Sequence, residues 1–398
     1  MDIVILADFC GTLLPSSNNR FIYLANILSE HNDVEIITSD FRHNTKTYID
    51  KDIPHYKFKI TFLHEPSYDK NVCLKRFYSH YVWGNNVSKY LEKRKKPDVI
   101  YCALPTLKAS KNAVNYCKKN NVRFIIDIQD LWPEAFKMVF NVPVLSDLIF
   151  APLTAMANAI YKQADEIIAV SDTYCQRALK VNEKCKKAHT IFLGTNLDTF
   201  DKNATNTPIL SKNDDELWLA YCGTLGSSYD LTNVFDALNI IKKQGIKPPK
   251  FIIMGSGPRK QEFEEYANNK NIDCVFTDRL PYDQMCALLC ECDITINPIT
   301  HNAAQSIINK HADYAASGLP VISTQECKEY IDLVNQYNMG FNCQNGNEKD
   351  VAEKIIKLIN DKELRYEMGK NARRCAEEKF DRKNSYNEII DIINIKQQ

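Results

Sequence analysis

Lys310 and Asp313 stand three residues apart in the stretch SIINKHADYAASGLPVIS, which runs from Ser306 to Ser323. Three residues is close to one helical turn, so on a helix the two charges share a face. Ser306 is a suitable N-cap, Gly318 a suitable residue just past the helix end, and Pro320 stops the helix from continuing. The spacing therefore predicts a helix of about three turns bounded at both ends. The start of such a helix offers unpaired backbone N–H groups and the positive end of its dipole, which together suit a diphosphate. Lys310 adds a full, mobile charge one turn in. Asp313 can accept hydrogen bonds from sugar hydroxyls, or hold Lys310 when no ligand is present. The same spacing equally serves an ordinary surface ion pair, worth only ~0.2–0.5 kcal/mol.

The rest of the chain must supply the elements that position this helix. Its 398 residues suggest two domains, because single cores stop growing near ~250–300 residues. Lysine plus arginine equals aspartate plus glutamate at 50 each, so no global charge favours nucleic acid and any anion must be held locally. The 14 cysteines are scattered, without a CxxC pair or a Cys/His array of zinc-ligand spacing; Cys286, Cys290 and Cys292 read as helix packing. That usage suits reduced thiols in a cytoplasm. Met1 leads into DIVILADF, a buried strand rather than a secretory leader, and no run of about 18 apolar residues predicts a spanning helix.

Strand-like runs at Ile3–Ala7, Val34–Thr38, Phe58–Leu63, Val99–Ala103, Arg123–Ile128, Glu166–Val170 and Thr190–Leu193 alternate with amphipathic helices such as Asn19–Ser29, Leu107–Lys119 and Pro152–Gln163. This predicts an α/β domain over 1–195, with a mostly parallel sheet covered on both faces. Residues 196–215 are rich in Asn, Asp, Thr and Lys and read as a linker. The alternation restarts over 216–375, giving a second doubly wound domain, and 376–398 reads as a closing helix that either ends that domain or packs back on the first. Two such domains facing each other leave an interdomain cleft at the carboxyl edges of their strands, where these folds bind ligands.

Several loops at strand ends are candidates for that cleft. Gly223, Thr224 and Gly226 follow one strand in YCGTLGSS, and Gly255 and Gly257 follow the next in GSGP, where glycine permits close backbone approach or merely a turn. In the first domain, DFCGTLLPSSNNR offers Gly11, Thr12 and Arg20, with capping and packing a sufficient account of Arg20. It is not GxGxxG, and no acidic residue follows the second strand at dinucleotide spacing, which argues against a nicotinamide enzyme. DIQDLWPEAF brings Gln129 and Asp130 to a strand end, with Glu134 a turn on. Asp130 can orient or deprotonate an acceptor hydroxyl, or cap the next helix. Basic LEKRKKP at Leu91–Pro97 and the interrupted apolar stretch Phe136–Ile160 suit either a membrane surface or ordinary packing. The aromatic-rich segment Lys75–Trp83 suits an acceptor flank or a core.

Taken together, these residues resemble the donor site of glycosyltransferase family 4, retaining enzymes of GT-B fold. The resemblance spans nearly the whole chain and is strongest from about 215 to 345. The family's E-x7-E positions fall on Gln305 and Asp313, while Ser306, Lys310, Tyr314, Gly318 and Pro320 match the S-x-P-x-K-x-x-E/D-Y-x-A-x-G-x-P-V form of many bacterial members. The resemblance implies two facing Rossmann-like domains, 1–195 on the acceptor side and 216–375 binding the nucleotide sugar, and transfer of a sugar from a nucleotide diphosphate, a UDP-sugar for preference. The acceptor would be a glycan or a polyprenyl-diphosphate-linked sugar in capsule, lipopolysaccharide or other surface polysaccharide synthesis. It further implies donor contacts from Gly11, Gly223, Thr224, Gly226, Gly255, Gly257, Arg279, Leu280, Gln305, Ser306, Ile307, Ile308, Asn309 and Lys310. Lys310, Asp313, Asp130 and Gln129 are the candidate catalytic residues; no cofactor and no metal are expected. The expected location is cytoplasmic, with peripheral contact at the inner membrane open. Two departures stand out. Gln305 is neutral where many members have glutamate, and Thr224 and Tyr229 occupy positions where members often carry the phosphate-binding arginine and lysine, leaving Lys310, the backbone amides, Arg259 or Arg279 to do that work. A nucleotide-sugar epimerase of the same architecture, or a non-catalytic partner in an assembly complex, are the alternatives.

Overall fold

Strands buried on both faces need continuous apolar runs, and DIVIL, VIYCAL and RFIIDI supply them. The computed structural model describes residues 1–49, 53–71, 73–139, 145–301, 303 and 307–395. Its chain forms two units, Met1–Phe192 with Tyr386–Gln398 and Leu193–Ser385.

Unit 1 contains strands β1 (Asp2–Leu6), β2 (Asp33–Ser39), the short hairpin β3 (Phe41–Arg42) and β4 (Thr47–Tyr48), then β5 (Lys59–Leu63), β6 (Val99–Leu104), β7 (Arg123–Ile128), β8 (Glu166–Ala169) and β9 (His189–Thr190). Apart from the hairpin they form one parallel sheet in the order β5-β2-β1-β6-β7-β8-β9. Helices α1 (Arg20–Leu28), α2 (Leu74–Lys93), α3 (Leu107–Asn120), α4 (Glu134–Val139), α5 (Leu145–Gln163) and α6 (Asp172–Leu179) connect the strands. Helix α5 begins before Pro152, where the sequence suggested a start, and Phe136, Phe150, Ala157 and Ile160 of the apolar stretch are buried. In the basic run, Arg94 is drawn onto Asp2 at 2.8 Å and Glu35 at 2.9 Å.

Unit 2 opens with α7 (Leu197–Ala204), which corrects the expectation of a linker across 196–215. Asn196 caps it through the Thr199 N–H, and Leu197 and Phe200 are buried; the polar composition masked an eight-residue helix with two apolar anchors. The sheet runs β12-β11-β10-β13-β14-β15, all parallel, from β10 (Trp218–Cys222), β11 (Lys250–Met254), β12 (Cys274–Phe276), β13 (Ile294–Asn297), β14 (Val321–Ser323) and β15 (Gly340–Asn342). Helices α8 (Leu231–Lys243), α9 (Lys260–Asn269), α10 (Tyr282–Cys290), α11 (Asn309–Ala316), α12 (Lys328–Tyr337), α13 (Glu348–Asn360) and α14 (Lys362–Cys375) pack with it. A π-helical turn (Ala376–Phe380) and α15 (Arg382–Ser385) finish the unit.

The last described helix, α16 (Asn387–Asn394), returns to unit 1. Tyr386, Ile389, Ile392 and Ile393 enter the same core as Ile3, Phe21 and Val99. Arg123 ties the helix end down, its Nη1 donating to the carbonyls of Ile392 at 2.6 Å and Ile395 at 3.0 Å.

In each sheet the strand order reverses at one point. The chain runs outward from β1 on one side and resumes with β6 on the other; in unit 2 the same happens between β10 and β13. Open α/β sheets bind ligands outside the carboxyl ends of the strands at such a switch point.

Candidate active site

At the switch point of unit 2, Gly223 follows β10 and α11 follows β13 and its loop. Gly223 has φ +151°, and a Cβ there would meet Lys310 Nζ at 3.1 Å, so glycine makes room for the lysine. Tyr314 fixes the helix against both strands: its hydroxyl accepts from the Cys222 N–H at 2.8 Å and donates to the Ile296 carbonyl at 3.2 Å. Helix α11 ends as expected, with Ser317 at the C-cap and Gly318 at φ +67°.

The beginning of α11 differs from expectation. Its first helical residue is Asn309 and its N-cap is Ile308, whose N–H donates to His311 Nδ1 at 3.1 Å. One of the amides proposed to receive an anion thus already has an internal acceptor. Gln305 and Ser306, candidates for the donor site and for the cap, lie outside the described residues. Ile307 is buried in the core, Ile308 is half-buried and Asn309 is exposed.

Lys310 is 8% exposed, and its ammonium has no hydrogen-bond partner among the described residues. It rests on two aromatic faces instead, 3.8 Å from the centroid of Tyr229 and 4.3 Å from that of Tyr221, whose rings meet edge-on. Burial pushes its pKa down to about 7. The expected pairing with Asp313 is not formed. Asp313 Oδ1 accepts from the Tyr282 hydroxyl at 2.7 Å, which also meets Thr195 Oγ1 at 2.9 Å. Burial raises the Asp313 carboxyl to about 6 against the opposing pull of Tyr282 and Arg382. Helix geometry put both residues on one face, but three tyrosines from outside the helix, Tyr221, Tyr229 and Tyr282, draw them apart. Tyr229, noted as a missing cation, proves to be a π surface for the cation that remains.

The other candidates divide. Gly255 and Gly257 serve backbone packing: Cβ atoms there would fall 1.8 Å from the Gly223 carbonyl oxygen and 2.3 Å from that of Leu225. The loops after β10 and β11 are cross-linked by Gly223 N–H to Met254 O and Leu225 N–H to Ser256 O, both 3.0 Å. Gly226 meets no such constraint, and Thr224 is exposed beside it. Arg259 is turned onto its own helix, bidentate to Glu262 and over the Phe263 ring. Arg279 is exposed and Leu280 half-buried in the loop after β12.

In unit 1, Gly11 is exposed with φ +67°, in a loop pinned by Asn19, which accepts from Phe21 and Ile22 N–H and donates to the Thr12 carbonyl. Arg20 is buried and turned inward, 3.2 Å from Asp127, as packing alone would have it. Gln129 donates to Asp127 at 3.2 Å. Asp130 accepts from the Leu131 N–H and from Trp132 Nε1, so its carboxylate sets the Trp132 ring; burial first of all raises its pKa to about 6. Glu134 is held by Arg177 at 2.6 Å. The residues missed from sequence are Asp8, Glu65 and the Arg76/His80 pair on α2, which come from separate elements and share no motif. His80 Nδ1 lies 3.2 Å from Asp8 Oδ2 and 3.1 Å from Glu65 Oε1.

Two parallel sheets, each wound from a reversal of strand order, with a lysine-bearing helix start at the second reversal, define the GT-B class of fold. Residues 202–375 match the protein family described as Glycosyl transferases group 1. The chain is 25% identical over 246 residues to the capsular polysaccharide biosynthesis glycosyltransferase CapM of Staphylococcus aureus, covering 58% of this chain and 62% of CapM. It is 23% identical over 234 residues to the uncharacterized glycosyltransferase MJ1069 of Methanocaldococcus jannaschii, covering 58% of this chain and 59% of the relative. The chain thus spans about three fifths of the length of the curated relatives it matches. Among solved structures, HepE of Anabaena in complex with UDP superposes with a TM-score of 0.70 at 15% identity, covering 99% of both chains. That likeness shows the fold.

Proposed function

We propose that this chain is a retaining glycosyltransferase, moving a sugar from a nucleotide diphosphate to a glycan or polyprenyl-diphosphate-linked acceptor in surface polysaccharide synthesis. The observation that carries this reading is Lys310: a buried ammonium without a counter-anion among the described residues, at the helix start on the switch point of unit 2. The match over 202–375 supports sugar transfer, the capsular role printed for CapM supports the polysaccharide setting, and the UDP and UDP-glucose complexes of HepE support a UDP-linked donor.

In this scheme the bond from the anomeric carbon to the β-phosphate oxygen breaks while the acceptor oxygen bonds on the same face. The acceptor proton passes to the leaving phosphate. No protein nucleophile is required, and the protein's contribution is charge stabilisation and orientation. Lys310 and the amides at the start of α11 take the diphosphate charge, and Asp313 and Gln305 grip the donor, without a metal. The reading places the protein in the cytoplasm, against the inner membrane. No described helix is long and apolar enough to cross a membrane, while exposed Leu74 and Tyr78 on α2 and Leu148 and Ile149 on α5 offer an apolar surface.

A thermal-shift panel of nucleotides tests the donor. UDP at a hundred times its dissociation constant is expected to add about 2.7 kcal/mol to the stability of the state that binds it. No shift with any nucleoside diphosphate would remove the proposal, and conversion of a UDP-sugar alone into a new sugar nucleotide would replace it with epimerisation.

Binding is also expected to take up protons. Burial lowers the Lys310 pKa to about 7, and a diphosphate favours its charged form. UDP affinity should therefore fall as pH rises above about 7, with calorimetry in buffers of different ionisation enthalpy recording net proton uptake. An affinity flat from about pH 6 to 9 contradicts this.

A further inference from the structure

Helix α11 starts beside Lys310 without the groups that usually close a helix start. A polar N-cap side chain ordinarily takes one of the free N–H groups, and a glutamate or glutamine three residues on reaches back to the N–H of the cap itself. Here the cap is Ile308, which has no side-chain acceptor, and the residue three on is His311. Its Nδ1 accepts the Ile308 N–H at 3.1 Å. Acidic side chains are favoured at this end of a helix, against the positive end of the dipole, yet the first turn of α11 has none.

The histidine is held on every side. It is 1% exposed, and its ring lies flat on Tyr330 of α12, with centroids 3.7 Å apart and planes 13° from parallel. Because Nδ1 accepts, the neutral ring carries its one proton on Nε2, and the side chain of Gln325, two residues past β14, receives it. Asn297, the last residue of β13, donates to Gln325 Oε1 at 2.9 Å. Asn297 and Gln325 are 0% and 3% exposed. A line of contacts thus runs from the ends of two strands, through the imidazole, to the amide that opens the helix. Nothing local in the sequence marks His311 for this, because its partners come from β13, the chain after β14, and α12.

Charge gives the arrangement its meaning. Burial first, and then the Lys310 charge, hold the imidazole well below its ordinary pKa, so it stays neutral. The His311 N–H is bound to the Ile308 carbonyl at 3.1 Å. The amides of Asn309 and Lys310 lie in the first turn, where the helix offers no acceptor, and they have none among the described residues. Beside them stands the buried Lys310 ammonium, likewise without a hydrogen-bond partner among those residues. A glutamate at 311 would close the helix as well as histidine does, but its carboxylate would neutralise the ammonium and repel a bound anion.

We propose that His311 is a positioning residue of the donor site, an uncharged helix cap that holds the Asn309 and Lys310 amides and the Lys310 side chain for a diphosphate without placing a carboxylate against it. The inference rests on the nucleotide-donor reading and adds to it the group that fixes the anion site.

Calorimetric titration of the full chain with UDP tests it, with the thermal midpoint of each variant measured in parallel. His311→Gln keeps an uncharged acceptor for the Ile308 N–H and should bind UDP within threefold of wild type. His311→Glu keeps the acceptor but brings the charge, and should bind UDP at least tenfold more weakly than His311→Gln even where its thermal midpoint is no lower. His311→Leu fills the space with no acceptor and should also bind at least tenfold more weakly than His311→Gln. A role in stability alone would instead make UDP affinity follow the thermal midpoint across the variants. If His311→Glu fails to fold, the contrast between glutamine and leucine decides. His311→Glu binding UDP as tightly as His311→Gln, or His311→Gln binding it no more tightly than His311→Leu, overturns the assignment. A wild type that binds no nucleoside diphosphate strikes the donor reading instead.

Discussion

Lys310→Ala is expected to lower sugar transfer at least a hundredfold, a loss of about 2.7 kcal/mol of transition-state stabilisation, without unfolding the protein. Among the described residues the ammonium rests on the Tyr221 and Tyr229 rings and has no hydrogen-bond or carboxylate partner, so its removal leaves no carboxylate stranded and breaks no hydrogen bond. Near-normal turnover would take Lys310 out of the mechanism. A companion measurement separates function from stability. Burial lowers the Lys310 pKa from 10.5 to about 7, so the folded state disfavours the charge that the unfolded chain carries freely. Between about pH 7 and 10.5 the unfolded chain binds more protons, and wild-type stability should rise with pH across that window. Lys310→Met, which fills the space without a charge, should lack this rise and melt higher than wild type below pH 7. An inactive variant more stable than its parent would mark a charge kept for chemistry rather than folding.

The second large effect is structural. Arg20→Ala should destabilise unit 1 by about 3–5 kcal/mol, seen as a lower urea midpoint. Arg20 and Asp127 are 6% and 0% exposed, and Arg20 also lies 5.2 Å from the Tyr386 ring centroid. Removing the guanidinium strands a buried carboxylate. Replacing both, as Arg20→Met with Asp127→Leu, should cost much less. UDP affinity should survive Arg20→Ala in protein that remains folded; a selective loss of UDP binding at unchanged stability would restore Arg20 as a donor contact.

The two doubly wound sheets were legible because parallel strands write continuous apolar runs, and the end of α11 because Gly318 and Pro320 act within a few residues. Lys310 was legible by spacing. Its surroundings were not: Tyr221 and Tyr229 precede it by more than eighty residues, and nothing local says that a lysine will settle on rings rather than on the aspartate one turn away. Helix α2 was read only as an aromatic-rich segment, although Ser79, Trp83, Val87 and Leu91 trace its buried face at helical spacing. With that helix unseen, Arg76 and His80 had no direction, and the cluster around Asp8 could not be assembled.

The return of α16 to the core of unit 1 has a bearing on biosynthesis. Arg123, Ile3 and Phe21 are made early, yet the helix that covers them follows the whole of Leu193–Ser385. At ~5–20 residues per second a ribosome needs roughly 10–40 s for that stretch. Through that interval the nascent first unit shows an apolar face that only the late helix can cover, so the unit made first is completed last and a chaperone has time to engage it.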